Sequence, residues 1–160
     1  MDPRNADTKV ICSHNSDVHE RNNLLMGIRF PRAADVYIQI NADSEESILW
    51  ANEPGFHLMR HVDMGCPVMV TKNVDISVGA VDGAFGTVVG YTRCERSGQV
   101  RRIEVRLDNG KTLKFYRSVY ERLYLGGKRY YRNTFPLARA FAITGHKSQG
   151  CTIKGSVILY

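Results

Sequence analysis

The segment Arg102-Ile103-Glu104-Val105-Arg106-Leu107, Asp108-Asn109-Gly110, Lys111-Thr112-Leu113-Lys114-Phe115-Tyr116 has few ways to fold. Two alternating runs flank an Asn-Gly pair, the pattern of a β-hairpin. A two-residue turn would set Val105 against Lys114 and Arg106 against Leu113, mixing polar and apolar side chains on both faces. A three-residue loop sets Val105 opposite Leu113 and Ile103 opposite Phe115, and leaves Glu104 facing Lys114 on the wet side. Gly110 then supplies the left-handed residue such a loop needs. The three-residue loop is therefore expected.

Shorter strands precede it. Val68–Thr71 follows Gly65-Cys66-Pro67 and ends at Lys72-Asn73, where a structural turn is expected. Asp82-Gly83 and Gly86 bracket a further turn before the strand Thr87–Tyr91. Several short strands with frequent glycine turns over residues 65–134 imply a small β-barrel. Upstream, Thr8–Cys12 reads as a buried strand, followed by a polar loop and a helix over Asp17–Met26. Asn15 or Ser16 is expected to cap that helix, Asp17 and Glu20 suit its positive end, and Gly27 is expected to stop it. Strand, loop and helix make half of an α/β repeat. Val36–Ile40 alternates like another strand, and Asp43–Ser47 reads as a solvated loop. Val157–Tyr160 reads as a buried strand at which the chain stops, so a truncated chain is expected.

Charge is unevenly spread. Residues 92–132 hold twelve basic and four acidic side chains, whereas residues 1–64 hold six basic and ten acidic ones. Tyr116, Tyr120, Tyr124, Tyr130 and Tyr131 interleave with the basic residues. Rings that stack on bases beside cations that neutralise phosphates favour nucleic acid over lipid as the partner. No window approaches the length of apolar residues that spans a bilayer, so no membrane partner is expected. Cys12, Cys66, Cys94 and Cys151 form no Cys-x-x-Cys pair, and His14, His19, His57 and His61 show no ligand spacing with them. No metal site is expected, and a reducing, intracellular compartment is. Trp50 is expected in the core or as a loop anchor.

The densest chemistry lies in Phe141-Ala142-Ile143-Thr144-Gly145-His146-Lys147-Ser148-Gln149-Gly150. Two hydroxyls, an imidazole, an ammonium and a carboxamide follow an apolar approach from Leu137 to Ile143 that anchors them on a rigid element. Each group donates a hydrogen bond and Lys147 adds charge, a set suited to phosphate. The same residues also read as a capped turn, with Thr144 as N-cap of a short helix and Gly150 as its stop.

Four stretches occur in one order: Thr8 to Asn22, Gly65–Asn73, Val81–Val89, and Phe135-Pro136-Leu137 through Gly150. That order resembles the C-terminal part of the petite-integration-frequency helicases and their Helitron and RecD-like relatives, ATP-dependent DNA helicases of superfamily one. The resemblance covers most of the chain, weakly across 28–56. It implies an α/β fold: part of a second RecA-like domain interrupted by a small Src-homology-type β-barrel. Residues 1–64 would be the first portion of that domain, 65–134 the inserted barrel, and 135–160 the return. By the same resemblance Asn15, Thr144, His146, Lys147, Ser148 and Gln149 would bind DNA, and Gly150 would belong to the nucleotide cleft. The chain would then be a helicase fragment that grips single-stranded DNA and couples it to that cleft. The partners implied are single-stranded DNA and an N-terminal RecA-like motor domain. Such motors step along DNA, typically 5′ to 3′, using ATP and Mg2+, and a nuclear or mitochondrial setting would suit one. Two residues depart from the family pattern. Gly145 stands where relatives place a branched or apolar residue, and Asp82-Gly83 replaces Asn-Gly, a change expected to alter the turn little.

No Gly-x-x-x-x-Gly-Lys-Ser/Thr loop occurs, and the family's arginine motif would lie beyond Tyr160. The chain alone is therefore expected to need no cofactor, carry no catalytic residue and hydrolyse no ATP. A stand-alone nucleic-acid-binding barrel without motor activity is the alternative, and it leaves Thr144–Gly150 unexplained.

Overall fold

The computed structural model describes residues 8–40, 59–123 and 129–160. In chain order the first elements are β1 (Thr8–Cys12), α1 (Asn15–Arg29), β2 (Ala34–Asp35), β3 (Gln39–Ile40), β4 (His61–Val62) and β5 (Pro67–Val70). Then come β6 (Phe85–Arg93), β7 (Val100–Leu107), β8 (Thr112–Phe115), β9 (Ser118–Leu123) and β10 (Arg129–Thr134). The last are β11 (Leu137–Arg139), β12 (Ala142–Thr144), α2 (Gly145–Ser148) and β13 (Ser156–Leu159).

The two ends of the described chain build one sheet. β1 is its centre, parallel to β12 on one side and to β13 on the other. Parallel strands need long crossovers, and here everything from α1 to β11 lies between β1 and β12. Val10, Cys12, Val18 and Ala142 form a small buried cluster between this sheet and α1.

The middle of the chain is antiparallel, in the order β11-β5-β6-β7-β8. The hairpin register is the expected one: Val105 pairs with Leu113, Ile103 with Phe115 and Glu104 with Lys114. Gly110 sits at φ +90°, in the left-handed region that the three-residue loop demands. A shift in pairing between Val88 and Gly90 bulges β6 against β7.

The expected barrel is not closed by these pairings. Among the described residues the five strands end in free order at β11 and β8, and β3-β10-β9 form a separate sheet. The reason lies in the core. Val68, Val70, Val88, Ile103, Val105 and Phe115 pack together with Leu25 and Met26 of α1 and with Ala34, Val36, Met59 and Val62. The sheet's apolar face is thus shared with the helix and the β2-β4 pair.

Three local expectations change. α1 starts at Asn15 with His14 as its N-cap, without a side-chain cap bond, and it runs through Gly27 to Arg29. Burial of Val18, Asn22, Leu25 and Met26 on one face carries the helix past the glycine, whose helix propensity is poor but not prohibitive. Val36–Ile40 is no continuous strand: the Val36 N–H bonds Arg60 O, 2.8 Å away, beside the β2–β4 pair, whereas Gln39–Ile40 pairs with β10. β13 is an edge strand, not a buried one, and Leu159 is 78% exposed. Trp50, His57, Tyr124 and the expected loop at Asp43–Ser47 lie outside the described residues.

Gly86 is the tightest backbone approach. A Cβ there would lie 2.6 Å from Val105 Cγ1 and 2.8 Å from Arg106 O. The carbonyl belongs to a paired strand and cannot yield. Gly86→Ala is expected to lose about 1–3 kcal/mol in urea unfolding, the cost of overpacking. A change near zero would mean that β6 and β7 separate freely.

Candidate nucleic-acid interface

β1 and β12 run in register, with Cys12 beside Thr144, so the loops after both strands emerge at one sheet edge. This is the carboxyl edge, where open α/β sheets place their ligands. Asn15, exposed in the first turn of α1, and the run Thr144–Gly150 therefore share an edge although well over a hundred residues separate them.

Within the run, several groups are spent on the turn itself. Thr144 caps α2, its Oγ1 accepting from Lys147 N at 3.3 Å, and Ser148 Oγ donates to Gly145 O at 2.6 Å. Cys151 Sγ donates to Lys147 O at 2.9 Å, so this thiol packs and bonds as expected of a structural cysteine. Gly150 follows the C-cap Gln149 at φ +76°. Nothing lies within 4 Å of a Cβ added to Gly150, so its backbone conformation, not crowding, calls for glycine. His146 and Gln149 are exposed.

Lys147 has a partner. Its Nζ lies 3.0 Å and 3.2 Å from the two carboxylate oxygens of Asp82. Asp82 sits on the turn before β6, held by Asn73 Oδ1, which accepts from Asp82 N at 2.9 Å. Asn73 is thus the brace of that turn, and the Lys72-Asn73 pair is structural, as expected. The Asp82 position is not neutral: it places a carboxylate on the cation of the run. Both side chains are about half exposed, a geometry of modest net strength.

Gly150 also borders a cavity of about 290 Å3 between the run and the β5–β6 and β7–β8 turns. Its lining includes Asp82, Asp108 and Asn109 and no lysine or arginine. That lining is poorly suited to a triphosphate, because the Asp82 carboxylate already holds the Lys147 ammonium beside it.

The sequence reading missed Asn22, which is fully buried on α1. Its Nδ2 donates to Ala142 O at 3.0 Å and its Oδ1 accepts from Ala142 N at 2.9 Å. A polar residue on the inner face of an amphipathic helix was the available signal.

The basic, tyrosine-rich stretch divides. Tyr116 and Tyr131 are exposed. The Tyr120 hydroxyl instead lies 3.2 Å from Thr71 Oγ1, and burial pushes its pKa up. Arg132 is fully buried with its guanidinium 5.4 Å from the Tyr120 ring, which removes one of the counted cations from the surface.

No protein-family model matches the chain. Over 144 residues it is 31% identical to the ATP-dependent DNA helicase PIF1 of Danio rerio, an alignment that takes in 89% of the chain and 22% of that protein. The human PIF1 helicase gives the same identity and shares. By sequence and by fold, the chain is similar to one part of the Pif1 helicases. A crystal structure of Bacteroides Pif1 helicase in complex with ADP-AlF3 and single-stranded DNA superposes with TM-score 0.65 at 29% identity, over 95% of this chain and 34% of that one. The Candida albicans Pif1 helicase superposes with TM-score 0.74 at 18% identity, covering 96% of this chain and 38% of that one, a likeness of fold. This Pif1-like chain thus spans about a fifth of the length of its curated relatives.

Proposed function

We propose that this chain is the single-stranded-DNA-gripping part of a Pif1-type ATP-dependent DNA helicase, with Asn15, Thr144, His146, Lys147, Ser148 and Gln149 as its contact residues. The observation that carries the reading is the shared carboxyl edge at which the α1 start and the Thr144–Gly150 run meet. His146 and Gln149 offer exposed donors there, and Lys147 offers charge. Thr144 and Ser148 hold the turn that presents them, and the Ser148 hydroxyl oxygen retains acceptor capacity.

On this reading residues 1–64 and 135–160 are portions of a second RecA-like domain, and residues 65–134 are an inserted small β-module of Src-homology type. The parallel sheet joining both chain ends supports the division. β11 pairs with β5, so within 135–160 the chain first runs beside the antiparallel sheet and then joins the parallel one at β12.

In the intact protein, 5′-to-3′ unwinding would draw on ATP and Mg2+ held chiefly by a partner RecA-like motor domain. Gly150 would lie toward the nucleotide cleft, its left-handed backbone turning the chain there. The given sequence holds no phosphate-binding glycine loop, so this chain alone is expected to be without ATPase activity. Free thiols at Cys12, Cys66, Cys94 and Cys151 suit a reducing setting such as nucleus or mitochondrion.

Lys147→Ala tests the grip. The full chain is expected to bind a labelled single-stranded oligonucleotide weakly and with strong salt dependence. The variant should bind less tightly, with the slope of log K against log salt shallower by about one. Fluorescence anisotropy at several salt concentrations measures both, and an unchanged slope would take Lys147 off the contact surface.

A further inference from the structure

At the far end of α1, about 20 Å from Asn15 along the helix, the structure holds a second cavity, of about 430 Å3. Met26, Phe30 and Ala33 give it apolar walls, and Asn23, His61 and Arg139 are its polar lining. The volume lies in the range of small-molecule sites. His61 already has a partner, with Nε2 3.4 Å from Asp35 Oδ1. Arg139 does not. It stands on β11 in an otherwise apolar run, is 4% exposed, and makes no hydrogen bond or ion pair with any described residue.

A guanidinium on so buried a residue without a counter-ion is an unfavourable arrangement, because burial strips much of its hydration and leaves only the cavity to supply a partner. The surrounding field worsens it. Burial holds the Arg139 pKa below its ordinary value; Cys66 opposes that shift, and the Arg60 charge, a smaller effect, adds to it. Arg29 adds a further cation nearby, its guanidinium 5.3 Å from the Phe30 ring and 5.2 Å from the Phe141 ring, with Nη1 buried and unbonded. The chemistry missing from this cavity is an anion.

We propose that the cavity is a binding site for a small organic oxyanion, a carboxylate or phosphate carried on an apolar or aromatic body. The Arg139 fork matches two oxygens of such a group, while Met26, Phe30 and Ala33 cover the body. Asn23 is placed to donate at the rim. The site is separate from the Thr144–Gly150 edge, and its occupancy does not depend on DNA.

Thermal unfolding of the full chain in anion-poor buffer tests this, with benzoate and phenyl phosphate as probes and inorganic phosphate as the comparison. Either organic probe, at millimolar concentration, should raise the wild-type Tm by several degrees and leave Arg139→Met unmoved. Arg139→Met keeps the apolar stem and drops the charge, so without probe it should melt no lower than wild type. Arg139→Lys keeps the charge but loses the fork, and should bind phenyl phosphate roughly tenfold more weakly. The site is refuted if neither organic probe shifts the wild type, or if Arg139→Met shifts as far. Equal shifts from inorganic phosphate would refute the apolar body. Should Arg139→Met fail to fold, wild-type affinity in Arg139→Lys would overturn the assigned role of the guanidinium.

Discussion

Asn22→Ala is expected to lose about 4 kcal/mol of stability, the sum of two stranded backbone groups. β12 is at the edge of its sheet, hydrogen-bonded only to β1. Its outer backbone groups at Ala142, a fully buried residue, have the Asn22 carboxamide in place of a neighbouring strand. Alanine would leave one N–H and one C=O without partner or water, at about 1–3 kcal/mol each. For a chain of this size the midpoint should fall by roughly 10 °C. Asn22→Leu separates the causes, since leucine fills the space but satisfies neither group, and it should lose about as much. A wild-type Tm for Asn22→Leu would assign the residue's role to volume. Because Thr144 follows Ala142 by two residues, both variants should also weaken single-strand binding before global unfolding begins.

That clamp shows which features the sequence displays and which it hides. The hairpin register was readable because alternation with period two leaves only one pairing that keeps Val105, Leu113, Ile103 and Phe115 on a common face. The turn at Thr144–Gly150 was readable because an N-cap hydroxyl and a left-handed glycine are local signals. Asn22 and Ala142 are distant in sequence, and so are Asp82 and Lys147, so no local pattern announces either pair. The Asp82-Gly83 pair reads as a neutral exchange for Asn-Gly because aspartate and asparagine suit the same turn positions. The difference is in what the side chain reaches. Barrel closure was over-read for a related reason: strand count and turn spacing fix the hairpins, but Leu25 and Met26 of a distant helix decide what covers the sheet. The start of α1 was misplaced because His14 has poor capping chemistry and tertiary burial set the boundary instead.

Asp82→Asn is expected to tighten single-stranded DNA binding roughly threefold to tenfold at low salt, on the proposed reading of the Thr144–Gly150 run. In the free chain the Asp82 carboxylate neutralises Lys147 and would also repel an approaching phosphate. Exposed pairs of this kind are worth about 0.2–1 kcal/mol, so Lys147 exchanges readily between carboxylate and phosphate. Asparagine preserves the turn and its acceptor while removing the charge, so stability should stay within about 0.5 kcal/mol of wild type. The pair must be tested as a cycle, because removing any acidic residue raises affinity for a polyanion to some degree. In a Lys147→Ala background, Asp82→Asn should give less than half of its effect in free-energy terms. Oligonucleotide titrations on the four proteins, at two salt concentrations, supply the coupling. Full additivity would mean that Asp82 acts only through the general field. A coupling that shrinks as salt rises would identify the ion pair as an electrostatic brake on the gripping run, one that DNA phosphate releases by taking the carboxylate's place.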